Sequence, residues 1–181
     1  MATAGANWLM IEREPFRSPI PHGHRMNSTI NEKLLVISRQ WAEEGRLLPR
    51  GVNDIELSSF LSLCLADRAV EPPDEYLELL KVHNGFAVEG IFVYSTARLA
   101  LSGSTAQTLA FVEMNILARE LDELKDYLVF GDCDQDEYVL KLSTGKYQVR
   151  DKQAFDNVYE EFERFDDMLE FMLDHVLRRI E

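Results

Sequence analysis

The stretch PPDEYLELLKVHNG, residues 72–85, predicts both ends of a short helix and organises the chain on either side of it. Pro73 presets the helical backbone angle at the first turn. Tyr76 and Leu80 lie four residues apart, so both side chains fall on one apolar face. The Asn-Gly pair ending at Gly85 supplies a left-handed stop, which a β-branched residue adopts only at a cost. We therefore expect a helix that buries Tyr76 and Leu80 and ends before Gly85.

Two more helices are predicted upstream of this stretch. Thr29 and Glu32 have the spacing of a capping box, and Gly45 is placed to end the first helix in a left-handed cap. The apolar face of that helix is Ile30, Leu34, Ile37 and Trp41. Asn53, followed three residues later by Glu56, begins the second helix.

Downstream, the apolar pattern changes to short β-rich runs separated by turns. Strands are predicted at residues 91–94, 127–130, 138–142 and 146–149, with a helix over about residues 106–124. Residues 153–163 have helical spacing. The chain ends in an amphipathic helix. The sequence thus predicts an α+β fold, in which a small antiparallel sheet of about four to six strands is flanked by helices.

The composition is typical of one globular domain. The 181 residues are 46% hydrophobic and 28% charged, which excludes a disordered chain and a small disulfide scaffold. Residues 1–25 contain three prolines and no periodic apolar face, so we expect a dispensable tail before a single domain over residues 26–181. The helix at residues 29–45 is an N-terminal extension of that domain.

The expected compartment is the cytoplasm. The longest apolar run of the tail, residues 8–11, is too short for the core of a signal peptide, and no run approaches the length of a membrane span. The two cysteines, Cys64 and Cys133, allow at most one disulfide and have the character of ordinary reduced thiols.

The charge balance bears directly on partners. Lys and Arg total 19 against 32 Asp and Glu, a formal net charge of -13. Such a surface repels nucleic acid and anionic lipid, so neither is an expected partner. A basic protein is favoured, because complementary charge steers the encounter. The alternative is that the acids serve only solubility.

No cofactor or metal is expected. Asp132, Asp134 and Asp136 have the spacing of the first calcium ligands of an EF-hand loop. The sixth position is Glu137 instead of Gly, and the twelfth is Ser143 instead of Glu, so calcium binding of that kind fails.

No catalytic residue is expected either. The chain lacks a phosphate-binding glycine loop, a hydrolase nucleophile elbow and a zinc-protease helix. Cys133 could pair with His83 or His175 as a nucleophile, but nothing in the sequence around it would activate the thiol. His83 is better explained as a capping or core residue. The sequence therefore indicates a binding protein and not an enzyme.

Several motifs together resemble the SUKH superfamily, named after the fungal Smi and Knr cell-wall regulators. Residues 72–85 resemble its LPxDYxxFLxxHNGG segment, with Phe86 in place of the second Gly. In order along the chain, the segments YLVFGD (127–132), the hairpin at 138–149 and FDDML (165–169) resemble its later strand, its Thr-Gly hairpin and its closing helix. The resemblance covers about residues 50–177. It implies a short strand at residues 158–162, where the local spacing predicts a helix, and we favour the strand. The positions that carry the motif are Pro73, Tyr76, Leu80, Asn84, Gly85, Gly131 and Gly145.

This resemblance implies the fold predicted above and a class of function. Bacterial members are immunity proteins that neutralise a cognate toxin, often a nuclease, whose basic cleft would match an acidic inhibitor. The alternative is a regulatory protein-interaction module of the Smi/Knr type without a toxin partner. The oligomeric state is left open.

Two acidic sets are the candidate partner-binding residues. The first is the turn between the predicted strands at 127–130 and 138–142, and the second lies on one face of the final helix. They are Asp132, Asp134, Asp136 and Glu137 in the turn, and Asp167, Glu170 and Asp174 on the helix.

Overall fold

A computed structural model describes residues 26–66, 71–103 and 105–180. Within them, the helices are α1 (Ser28–Glu43), α2 (Asp54–Ala66), α3 (Asp74–Val82), α4 (Phe111–Ala118) and α5 (Phe165–Ile180). The strands are β1 (Phe86–Val88), β2 (Ile91–Val93), β3 (Tyr127–Asp132), β4 (Asp136–Lys141), β5 (Lys146–Asp151) and β6 (Val158–Phe162). A 3₁₀ turn, Asp122–Leu124, precedes β3.

The strands form one antiparallel sheet whose spatial order is the same as their order in the sequence. The predicted α+β fold, with an antiparallel sheet flanked by helices, is confirmed. Because the strands follow one another in a meander, β1 and β6 are the two edges. On its outer side, an edge strand has backbone N–H and C=O groups that no neighbouring strand pairs with.

The two faces of the sheet differ in what covers them. Leu140, Tyr147 and Phe162 are in register across β4, β5 and β6, and the Phe162 ring packs 5.7 Å from that of Phe171 on α5. This is the helix face. Side chains alternate along a strand, so Asp132, Glu137 and Arg150, which are also in register, lie on the opposite face.

The core between the helices and the sheet is aromatic. The Tyr76 ring of α3 lies within 5.6 Å of the rings of Phe111, Phe130 and Phe165, which come from α4, β3 and α5. Tyr76 and Leu80 are fully buried, as the sequence predicts.

The end of α3 differs from the predicted left-handed cap. The helix begins after its N-cap Pro73 and ends at Val82, and the next residue, His83, is extended with φ -137°. The positive φ of +65° comes later, at Gly85. His83 is the C-cap residue of α3, and its backbone N–H donates to the Leu79 carbonyl oxygen at 2.8 Å. Its side chain bonds elsewhere, because Nδ1 lies 3.0 Å from the carbonyl oxygen of Pro49.

The Asn84 side chain ties this corner to the segment after β2. It accepts a hydrogen bond from the backbone N–H of Thr96 (2.8 Å) and donates one to the Thr96 hydroxyl (2.9 Å). Gly131 of β3 lies against the adjacent strand, because a Cβ there would sit 2.1 Å from the Phe92 carbonyl oxygen. Gly145 occupies the β4–β5 turn.

Of the two predicted capping boxes, the one at the start of α2 is confirmed and the one at the start of α1 is wrong. For α2, Asn53 Oδ1 accepts from the backbone N–H of Glu56 (2.9 Å), and the Glu56 carboxylate accepts from that of Asn53 (2.9 Å), which is the expected capping box. For α1 the predicted Thr29–Glu32 box is wrong: Asn27 is the N-cap, and Thr29 lies inside the first turn and donates its N–H to Asn27. Gly45 ends α1 with φ +73°, as predicted.

The predicted apolar face of α1 is confirmed. Its members Ile30, Leu34, Ile37 and Trp41 are all buried. On a neighbouring side of the helix, Lys33 contacts α5, so α1 is packed against the body of the domain.

The helix predicted over residues 106–124 is too long, because α4 covers only Phe111–Ala118. Ser95 donates its backbone N–H to Leu109 and accepts from that of Phe111, both at 2.8 Å. These β-type bonds occupy the backbone that a longer helix would need. Strand β1 was not predicted, since its three residues give no alternation to detect.

For residues 153–163 the strand prediction is confirmed and the helix prediction is wrong. Val158–Phe162 forms β6 and α5 begins only at Phe165. Acidic residues before position 164 therefore do not continue the acidic face of α5. The predicted tail, residues 1–25, lies outside the described residues.

Alanine at Gly85 should destabilise the fold more than alanine at Gly45. Both glycines have positive φ, which costs an L-residue about 1–2 kcal/mol. A Cβ on Gly85 would also sit 2.6 Å from the Val93 carbonyl oxygen, whereas one on Gly45 meets nothing within 4 Å. We expect Gly85→Ala to cost about 1–3 kcal/mol beyond Gly45→Ala, measured by urea unfolding. Equal losses would show that the close approach at Gly85 does not constrain the fold.

Candidate functional site

The acidic turn predicted from the sequence lies at one end of the sheet. β3 ends there at Asp132, β4 begins there at Asp136, and Asp134 lies in the connection between them. The strand register places Asp132 opposite Glu137 and Asp136 opposite Asp151. We call Asp132, Asp134, Asp136, Glu137 and Asp151 the acidic sheet end.

Four of these five residues were candidates from the sequence, and Asp151 was missed. A signal for it existed in the β4–β5 hairpin. With Gly145 in the turn, Lys141 pairs with Lys146, and counting five residues back and forward from that pair brings Asp136 opposite Asp151. Hairpin register, and not composition, would have found it.

The acidic sheet end has little compensating positive charge. Lys152 Nζ lies 2.6 Å from Asp132 Oδ2 and donates to the Cys133 carbonyl oxygen at 3.1 Å. Among the described residues, no other Lys, Arg or His nitrogen lies within 4.0 Å of these five carboxylates. Asp134 is exposed. Asp151 bonds to the Tyr159 hydroxyl (2.7 Å) and to backbone N–H groups, all of which are neutral donors.

Asp132 and Glu137 form a partly desolvated pair. Burial raises the pKa of Glu137, the charge of Lys152 opposes that rise and the charge of Asp132 adds to it. Asp132 Oδ1 and Glu137 Oε2 are buried without a hydrogen-bond partner among the described residues. Burial and the charges of the same two carboxylates also raise the pKa of Tyr94. The pair therefore carries negative charge that its own hydrogen bonds only partly compensate.

Arg150 is the register neighbour of Glu137, but its guanidinium is directed elsewhere. It lies 4.4 Å from the Phe155 ring centroid and 4.9 Å from that of Tyr127. Its nitrogens donate to the Phe155 carbonyl oxygen (2.7 Å), to the Gln148 side chain (3.0 Å) and to the Tyr127 hydroxyl. The buried arginine stabilises the sheet face and leaves Glu137 without an ion pair.

The second acidic set is held by intramolecular ion pairs. Lys33 Nζ of α1 lies 2.9 Å from Glu170 and 2.5 Å from Asp174, while Asp167 pairs with Arg164 at 2.6 Å. Burial alone would lower the pKa of Lys33, but its bonds to Asp174 and Glu170 outweigh this and raise it. This set joins α1 to α5, and its role as a partner surface stays a prediction.

Neither Cys64 nor Cys133 forms a disulfide within the described residues, and both are buried. Cys133 Sγ lies 3.5 Å from Asp136 Oδ2 and accepts from the Asp136 N–H at 3.4 Å. His83 bonds to the loop before α2, and burial lowers the pKa of His175. Neither pairing that the sequence suggested for a nucleophile, Cys133 with His83 or with His175, is among the hydrogen bonds of the described residues.

Two further properties of the described ranges concern metal binding and membrane-spanning helices. No group of three or more His, Cys, Asp or Glu side chains there is placed to hold a metal ion. In the same ranges, no helix combines the length and apolar character that crossing a bilayer requires.

Neither of two comparisons with known proteins found a match for this chain. No protein-family model matches the chain, and no curated protein matches it. The acidic sheet end is therefore interpreted from its own residues, as a partly buried group of carboxylates with little compensating positive charge at the ends of paired strands.

Replacing Glu137 by glutamine should change how stability depends on pH. The raised pKa means that folded Glu137 holds its proton more tightly than the unfolded chain does, so its contribution falls as pH rises above the ordinary value of 4.5. We expect the stability of Glu137→Gln relative to wild type to increase from about pH 4.5 to pH 7, measured by urea unfolding. Glu123→Gln, at an exposed site, is the control. A wild-type advantage that grows with pH would contradict the assigned burial of Glu137.

Proposed function

We propose that this chain is a non-catalytic protein-binding domain that holds a basic partner on the acidic sheet end. The partner class we propose is a bacterial toxin, and the chain is its cytoplasmic immunity protein. The observation that carries the binding surface is the charge imbalance: of the five carboxylates at this sheet end, only Asp132 has an ion pair among the described residues, and that pair is with Lys152.

The geometry supports a cationic partner in particular. The carboxylates are held by paired strands, so little side-chain and backbone freedom is lost when they are bound. A Lys or Arg from a partner would bring donors toward Asp134 on the surface and toward Asp136 and Glu137, which are half-buried and have already lost part of their hydration. Part of the desolvation penalty of the interface has thus been met within the free protein.

The toxin assignment rests on the resemblance of four ordered motifs to the SUKH superfamily, whose bacterial members are immunity proteins. Residues 72–85 carry the most specific of these motifs. A toxin that grips phosphate has a basic cleft, which is the complement of this sheet end. A regulatory interaction module would use the same surface with a non-toxic partner, so the identity of the partner separates the two.

Charge reversal at the sheet end should weaken binding, whereas the same change elsewhere should not. Asp134→Lys with Asp136→Lys should slow association about tenfold or more at low salt, and flatten its salt dependence, because steering by complementary charge is lost. Glu120→Lys with Glu123→Lys is the matched control. Those exposed residues precede the start of β3 and lie about 20 Å from its other end. Association rates are measured by surface plasmon resonance at several salt concentrations, and equal effects of both pairs would contradict the proposed surface.

The partner is obtained by capture from a lysate of the native host on immobilised wild-type protein, with the sheet-end variant as the negative control. The captured protein is then expressed in a test host with and without this chain. Growth arrest that wild type relieves and the sheet-end variant does not relieve supports immunity. A harmless captured protein supports the regulatory alternative, and capture by both forms equally contradicts the proposed surface.

A further inference from the structure

Strand β6 is an open edge of the sheet with unusually exposed side chains. Val158 is 42% and Tyr159 54% exposed, and Glu160 and Glu161 are also exposed. The other edge, β1, has three residues, of which Phe86 and Val88 are buried. β6 is therefore the longer and more accessible of the two edges.

The outward backbone groups of β6 have no partner in the described ranges. All its inter-strand pairing is with β5, from Val158 opposite Arg150 to Phe162 opposite Tyr147, with a bulge at Tyr159, so the regular edge runs from Glu160 to Phe162. No further backbone hydrogen bond in those ranges involves residues 158–162. Alternate residues of such a strand present a free N–H and C=O, which an added strand can pair with.

The charge of β6 selects the kind of strand that can be added. Glu160 lies opposite Val149 and Glu161 opposite Gln148, so these consecutive carboxylates point to opposite faces of the sheet. A second copy of β6 would bring glutamates against glutamates, and like charges directly across a ladder are destabilising. A strand with two consecutive basic residues would instead place one cation beside each glutamate.

β6 also continues the acidic sheet end. The Tyr159 hydroxyl donates to Asp151 Oδ2 at 2.7 Å, and the Asp151 N–H donates to the Asn157 carbonyl oxygen at 3.2 Å. The start of β6 and the carboxylates of the sheet end are thus directly connected. A partner held at one is positioned to reach the other.

We propose that the β6 edge binds an extended basic segment of the partner by strand addition, with backbone pairing along β6 and cations beside Glu160 and Glu161. This deepens the proposed function and rests on it for the identity of the partner, but the edge itself is testable without that partner. The competing explanation is that the glutamates only prevent edge-to-edge aggregation.

The test uses the full chain, labelled with ¹⁵N, and three peptides. The probe is acetyl-TVRKVT-amide. One control has the same sequence with N-methyl groups on alternate residues, which removes backbone donors and keeps the charge. The second control, acetyl-TVEEVT-amide, keeps the backbone and reverses the charge. Amide chemical shifts and hydrogen exchange of β6 are followed up to millimolar peptide.

We expect the probe to shift and protect amides of residues 158–162, and both control peptides to bind at least about tenfold more weakly. Glu160→Gln with Glu161→Gln should weaken probe binding by about threefold to tenfold, because two cross-strand charge pairs are lost. Glu120→Gln with Glu123→Gln should leave it unchanged. In the wild-type protein the Gln148 side-chain amide donates a 2.8 Å hydrogen bond to Glu161. Glu161→Gln keeps a side-chain oxygen that can accept this bond.

Three results would overturn the inference: no response of β6 at millimolar probe, equal binding of the N-methylated peptide, or a wild-type dimer in sedimentation experiments whose β6 amides are already protected. If a toxin is captured and the peptide fails, strand addition is wrong while the proposed function stands. If the peptide binds and no partner is captured, the edge site stands and the proposed function fails.

Discussion

The hydroxyl of Tyr76 donates a 2.7 Å hydrogen bond to the Tyr94 carbonyl oxygen, and its ring packs among Phe111, Phe130 and Phe165. This one side chain therefore joins α3 to the end of β2, to the central strand β3 and to α4 and α5. Leaving such a buried carbonyl unpaired costs about 1–3 kcal/mol, a large share of the stability of a domain this size. The resemblance to the SUKH motif thus includes the residue on which the packing of helices against the sheet depends.

The acidic sheet end owes its rigidity to that core. β3 is paired with β2 only through Gly131 and Asp132. Earlier in the strand, Asn115 of α4 takes the place of a strand partner: its amide donates to the Val129 carbonyl oxygen (2.7 Å) and accepts from the Val129 N–H (2.8 Å). Phe130 lies in the aromatic core, and two residues later the strand delivers Asp132 to the sheet end. Carboxylates that repel one another are held together because the strands beneath them are fixed by apolar packing and by hydrogen bonds on both sides of β3.

Local chemistry predicted more of the fold than of the site. The Asn53–Glu56 cap, the Gly45 end of α1 and the alternation in β4 depend on near neighbours, and the sequence displays them. The predicted helix over residues 106–124 was too long. Backbone hydrogen bonds of Ser95 with Leu109 and Phe111, which are distant in sequence, decide where α4 starts. The acidic turn can be recognised from its closely spaced Asp and Glu residues. Finding Asp151 requires the register of the β4–β5 hairpin, which pairs it with Asp136. That Lys33 pairs with Glu170 and Asp174 has no local signal, since 137 residues separate Lys33 from Glu170. Periodicity reports which face is apolar and not which ion pairs form across it.

The central claim is that the acidic sheet end contacts the partner. Zero-length carbodiimide cross-linking of the complex tests it most directly, because that reagent joins a carboxylate only to an amine in contact with it. Mass spectrometry should find partner lysines linked to Asp134, Asp136 or Asp151, with the yield falling as salt is raised. Links confined to Glu120, Asp122 and Glu123, which precede β3, or to Asp167, Glu170 and Asp174 on α5, would contradict the claim.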